Sequence, residues 1–134
     1  MSMTGAVNPD ELQQRLGAFP PPTLVDVRRT PAFDKDPSVI KGAVKRAPEA
    51  IFEWARDLEP WRPVVVYCVH GHEVSQNVAA FLQAAGYEAR KLEGGIAGWR
   101  EHGGATMARE QISSDIRDAW NMLALVVELL SARN

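Results

Sequence analysis

The sequence holds a single cysteine, Cys68, so no disulfide can form within the chain and a disulfide-stapled fold is excluded. That thiol is core filler, a nucleophile, a ligand or an intermolecular link, and its neighbours have to decide which. Net charge is equally scarce: 15 Lys and Arg against 17 Asp and Glu leave a formal −2, which gives no electrostatic reason to expect nucleic acid. Long apolar runs are missing too. The longest, Ala119 to Leu130, is broken by Asn121 and Glu128 and falls short of the roughly 20 residues of a membrane span. The opening residues MSMTGAVNPDEL have neither the basic nor the apolar region of a secretory signal, so a cytoplasmic location is expected. There is no internal repeat and no low-complexity segment.

What is present is the composition of an ordinary globular domain, 46% hydrophobic and 24% charged over 134 residues, enough to build one core. Asn8, Pro9 and Glu11 mark a helix start with a capping box, and the helix runs to about Leu16. Thr23 to Val27 reads as a buried strand ending at Arg28; residues 29 to 42 read as loop with one helical turn. Pro48 opens a helix with an apolar stripe of Ile51, Phe52, Ala55 and Leu58, closed by the prolines at 60 and 63. Val64 to Tyr67 is apolar without alternation, the pattern of a central strand covered on both faces. Val78, Phe81, Leu82 and Ala85 recur at helical spacing, Gly86 is placed to cap that helix, and a strand follows near Glu88 to Leu92. Strand, loop, helix and strand make a βαβ unit, so the fold class is α/β with a parallel sheet. In such sheets ligands gather at the carboxyl ends of strands, which is where Cys68 sits.

The loop itself is CVHGHEVS. A loop that leaves a strand and enters a helix turns successive backbone N–H groups, and the positive end of the helix dipole, toward one point. A cysteine there has a lowered pKa and reacts as thiolate, with His70 and His72 as candidate donors or cations and Gly71 letting the backbone curl. Such a cradle suits a sulfane sulfur on the thiol or a bound oxyanion. Two alternatives stand beside this reading. Cys68 can be buried filler in a polar loop, or Cys68, His70, His72 and Glu73 can supply ligands to a metal, although their close spacing lets only some of them meet one ion.

Three motifs in order resemble the rhodanese family: LVDVR at Leu24–Arg28, YCVHGHEVS at Tyr67–Ser75 and LEGGIAGW at Leu92–Trp99. The likeness runs from about residue 8 to residue 103. It implies a central parallel sheet flanked by helices, and a sulfurtransferase that carries sulfane sulfur as a persulfide on Cys68, from a thiosulfate-type donor to a thiophilic acceptor. It further implies Val69, His70, Gly71, His72, Glu73 and Val74 as the anion-binding loop. Asp26 and Arg28 are the family's charged pair beside the site, or simply a salt bridge tying the strand end to the domain. No metal and no cofactor are expected. The expected partners are a small sulfur-containing anion, or a protein that donates or accepts the persulfide, and neither nucleic acid nor membrane.

Departures from the family pattern shape the expected substrate. In SVIKGA, Ser38–Ala43, only Ile40, Gly42 and Ala43 agree with the family, with no bearing on catalysis. The loop has no arginine and adds Glu73, so thiosulfate is expected to bind poorly. The span from Cys68 to Gly86 is read as one residue longer than in single-domain sulfurtransferases, a likeness to rhodanese-fold phosphatases and arsenate reductases. Those enzymes place an arginine where Val74 stands, and without it phosphoryl chemistry loses its charge clamp. With no second cysteine, an in-chain arsenate-reductase relay is excluded.

The domain is expected over residues 1–104. Over residues 105–134 Ile112, Ile116, Trp120, Leu123, Val127 and Leu130 share one helical face, which marks an extra amphipathic helix. Its expected place is on the domain or in a homodimer contact through residues 110–131.

Overall fold

The computed structural model describes residues 5–108, so the amphipathic helix and the dimer contact expected beyond residue 110 lie outside the described residues. Seven strands are described: β1 (Ala6–Val7), β2 (Thr23–Asp26), β3 (Ser38–Ile40), β4 (Val44–Lys45), β5 (Val64–Tyr67), β6 (Ala89–Leu92) and β7 (Thr106–Ala108). The helices are α1 (Pro9–Leu16), α2 (Thr30–Lys35), α3 (Ile51–Trp54), α4 (Glu73–Ala84) and α5 (Gly95–Glu101). Five strands form one sheet in the order β1-β6-β5-β2-β4 with every neighbouring pair parallel. β3 and β7 form a separate antiparallel pair. This is the α/β architecture with a central parallel sheet flanked by helices that the sequence pattern and the family resemblance imply.

The centre of the sheet explains its composition. Along β5, Val64 and Val66 face one side while Val65 and Tyr67 face the other, and all four are buried because helices cover both faces. On the first face Val25, Val27, Val64 and Val66 meet Ile51, Trp54, Val78 and Leu82 of α3 and α4. On the second, Leu24, Val65, Tyr67 and Leu92 meet Leu12 of α1 and Ile96 and Trp99 of α5. Burying such a side chain contributes about 1.5–3 kcal/mol, so these two layers supply most of the driving force for folding.

Local signals act as their chemistry requires. The Glu11 amide donates to Asn8 Oδ1 at 2.8 Å and the Asn8 amide donates to Glu11 Oε1 at 3.3 Å, the reciprocal capping box that starts α1. Gly86 ends α4 at φ +99°, and the Tyr87 amide then reaches back to the Leu82 carbonyl at 3.0 Å.

Three expectations are corrected. The helix opened by Pro48 is only four residues of α-helix between two 3₁₀ turns, Pro48–Ala50 and Ala55–Asp57. Short helical segments of this kind tighten into i→i+3 bonding at their ends. Residues 29–42 hold the expected short helical segment, α2, and in addition the strand β3. The strand that pairs with β3 is β7, which lies beyond the boundary expected at Gly104. The Ala105 carbonyl accepts from Trp99 Nε1 and from the Lys41 amide, each at 3.0 Å, so the chain returns across Trp99 instead of leaving the domain as helix. A Cβ on Gly104 would overlap the Trp99 ring, which is why glycine stands at that crossing.

No helix among the described residues is long and apolar enough to cross a membrane. A chain ending after Gly104 should be less stable than one ending after Ala108 by about 1–3 kcal/mol, because the buried Trp99 N–H loses its acceptor and β3 its partner. Denaturant unfolding of the two truncations measures the difference.

Candidate active site

The order of the strands creates the site. After β2 the chain moves outward to β4, whereas after β5 it moves the other way to β6, so the segments leaving β2 and β5 diverge and open a crevice at their carboxyl ends. Arg28 and Arg29 follow β2, and Cys68 follows β5. A cavity of about 270 Å³ lies between them, walled by Arg29, Ala32, Cys68, Val69, His72 and Val74 among others.

Three bonds shape the loop from outside. The second and third amides of α5, those of Ile96 and Ala97, donate to the carbonyls of Cys68 and Val69 at 3.0 Å each. Lys91 Nζ donates to the Gly71 carbonyl at 2.9 Å. With these carbonyls drawn away, the loop's N–H groups are left to face the thiol. Two glycines make the close approach possible. Gly71 (φ +77°) would set a Cβ 2.9 Å from the Leu92 carbonyl, and Gly95 (φ +60°) would drive one into the carbonyls of Cys68 and Val69.

Cys68 is 7% exposed, and its Sγ lies 3.3 Å from Ser75 Oγ. Burial pushes the thiol up. The Ser75 hydroxyl and the backbone N–H groups of Ser75, Gly71 and His72 outweigh that penalty and hold its pKa below the ordinary value. The thiolate, the nucleophilic form, is therefore favoured at this position.

Of the expected loop, Val69, His70, His72, Glu73 and Val74 line the cavity with Cys68, while Gly71 lies behind it, and the division of labour differs from that expected. His70, His72 and Glu73 are exposed at its edge, and the two imidazole centroids stand 6.2 Å apart. Neither ring bonds the thiol; the backbone and Ser75 do. Among the described residues no group of three or more His, Cys, Asp and Glu side chains is placed to hold a metal ion. Asp26 and Arg28 form a buried ion pair at 2.7 Å. Arg28 also donates to the carbonyl of Asp36 at 2.9 Å and to that of Ser38, and it stacks 5.0 Å from the Phe33 ring. The pair thus ties the end of β2 to α2 and β3. Two contributors were not singled out by sequence. Ser75, which closes the YCVHGHEVS motif, could have been found from the requirement for a donor one helical turn inside the loop. Lys91 carries no such signal.

A parallel α/β sheet with a lowered thiol in the loop between a central strand and a helix defines a cysteine-based domain of the rhodanese type. The chain belongs to the rhodanese-like domain family, which it matches over residues 8–102. It is 35% identical over 78 residues to the thiosulfate sulfurtransferase GlpE of Pseudomonas syringae pv. syringae, a match covering 58% of this chain and 71% of that protein. Among solved structures it is similar to the rhodanese-related protein of Thermoplasma volcanium (TM-score 0.66, 26% identity, 76% of this chain and 96% of that one). It is also similar to the Alr3790 protein of Anabaena sp. (TM-score 0.68, 28% identity, 85% and 90%).

Ser75→Ala should move the pH profile of Cys68 alkylation upward by about one unit, since loss of a donor to the thiolate raises the pKa. Rates with iodoacetamide across pH measure it. Gly95→Ala should cost about 2 kcal/mol or more in denaturant unfolding, because the left-handed backbone and the two carbonyls both oppose a methyl group.

Proposed function

We propose that the protein is a sulfurtransferase that carries sulfane sulfur as a persulfide on Cys68. The observation that carries this reading is the lowered, recessed thiol surrounded by the N–H groups of Gly71, His72 and Ser75. The Cys68 thiolate attacks the outer sulfur of a thiosulfate-type anion. A new S–S bond forms on Cys68, the donor's S–S bond breaks, and sulfite leaves with the electron pair. The outer persulfide sulfur then rests where the loop amides point, and a thiophilic acceptor, a small molecule or a protein thiol, removes it and restores the thiolate. Exchange of this kind calls for no cofactor, and it suits the reducing cytoplasm expected for the chain. Membership of the family and the activity named for the Pseudomonas relative support the reading.

Within this scheme Val69 to Val74 supply the cradle, while Asp26 and Arg28 hold the opposite wall rigid. Phosphoryl transfer has weaker support: the loop offers Glu73 and Val74 where a transferring phosphoryl group needs positive charge. A second reading, in which the loop holds an oxyanion without turnover, is supported by the same inward-facing backbone N–H groups of Gly71, His72 and Ser75.

Incubation with thiosulfate followed by intact-mass measurement should show the mass of one sulfur atom gained by the wild type and lost on adding cyanide, with no gain in Cys68→Ala. A wild-type chain that never gains sulfur but binds sulfate or phosphate saturably would replace this function with the second reading.

A further inference from the structure

Residues 69–74 contain no arginine and no lysine, yet an ammonium group stands directly behind them. Lys91, in β6, is partly buried, and its Nζ donates to the Gly71 carbonyl at 2.9 Å. It does so from the side away from the crevice. Lys91 does not line the cavity that holds Cys68; it lines a different space of about 450 Å³ beside α4 and β1, together with Gln76, Gln83 and Glu93. Its ammonium is therefore no contact for a molecule seated over the thiol.

The Gly71 carbonyl and the His72 N–H are the two ends of one trans peptide group, so they point in opposite directions. The His72 N–H is one of the three backbone donors to Cys68. A single planar group thus has the Lys91 ammonium at its oxygen and the Cys68 sulfur at its hydrogen. Donation from a cation to a peptide oxygen draws electrons toward that end and makes the N–H at the other a stronger donor, as in any series of hydrogen bonds. The other charged and titratable groups around the thiol, namely Arg28, Arg29, His70, His72 and Glu73, line its own cavity from the front. Among the described residues Lys91 is the charged side chain that bonds the loop backbone.

We propose that Lys91 is a positioning residue for Cys68, acting through the Gly71–His72 peptide: its charge strengthens the hold of the His72 N–H on the sulfur and supplies, from behind, the cation that the loop itself lacks. It works without touching the sulfur or a bound molecule. One consequence rests on the persulfide reading. When an acceptor attacks the outer sulfur, the S–S bond breaks and the Cys68 thiolate leaves with the electron pair. A better-held thiolate leaves faster, and for the same reason each thiolate is a slightly weaker nucleophile. No proton leaves Lys91 in either step.

The full chain is compared with Lys91→Met and Lys91→Gln, which lose the charge, and with Lys91→Arg, which keeps it; denaturant unfolding identifies the variants that are folded under the assay conditions. Iodoacetamide rates across pH should place the midpoint of Cys68 alkylation about half a unit or more higher in the neutral variants, and restore it in Lys91→Arg. In amide NMR spectra the His72 proton should move upfield in the neutral variants by more than those of Gly71 and Ser75, because His72 alone shares its peptide group with the bonded carbonyl. Cyanide should remove the outer sulfur from Cys68 about twofold more slowly in the neutral variants, while their alkylation rate at high pH is no lower than that of the wild type. An unchanged midpoint in a folded neutral variant, or an equal shift of all three amides, would overturn the proposal and leave Lys91 as a brace for the loop. Alkylation and amide shifts decide the role of Lys91 whether or not Cys68 takes up sulfur, so failure of the persulfide reading and failure of the proposal are told apart.

Discussion

Everything at the site depends on where two carbonyl groups point. The amides of Ile96 and Ala97 take the carbonyls of Cys68 and Val69, and only because those oxygens are held on the α5 side can the following N–H groups turn inward. Backbone amides are obligatory hydrogen-bonding groups, so the constraint works in both directions: α5 satisfies its first donors and the loop is fixed by the same act. Gly71 and Gly95 allow the contact by leaving no side chain between the two segments. The environment of Cys68 is thus set from about 27 residues further along the chain, by the turn into α5.

The sequence made the central layer legible for a physical reason. β5 and the apolar face of α4 bury large, regular patterns, and the period of those patterns survives in a single sequence. The cysteine loop was legible for the same reason, since it is bounded by a strand and a helix that were. β1, β4 and β7 were not, because strands of two or three residues at the edge of a sheet bury too few side chains to leave a period. Arg28 illustrates a different limit. LVDVR reads as charge beside a site, yet fold contacts with Asp36 and Ser38, eight and ten residues on, turn that charge into an internal brace. His70 and His72 show the converse. Imidazoles in a reactive loop suggest chemistry, while the thiol is served by a serine hydroxyl and by amides that every residue possesses.

Burial and polarity are balanced at two places on either side of the crevice. On the β5 side, Cys68 suffers a desolvation penalty that hydrogen bonding more than offsets, leaving a reactive group. On the β2 side, Asp26 and Arg28 are both buried, and their mutual pairing with two further carbonyls leaves an unreactive one. The same principle, that a buried charge must be met by fixed partners, yields a thiol of lowered pKa at one strand end and a structural tie at the next.

The crossing of the sheet at β2 and β5 also divides the labour between two crossovers of the chain. The wall that activates sulfur comes from the β5–α4 loop and is locked by α5, whereas the wall with α2 and Arg29 comes from the segment after β2. Residues of α2 can therefore change while the loop that holds Cys68 stays as it is. The two walls of the crevice are thus independent pieces of chain that meet only at the thiol.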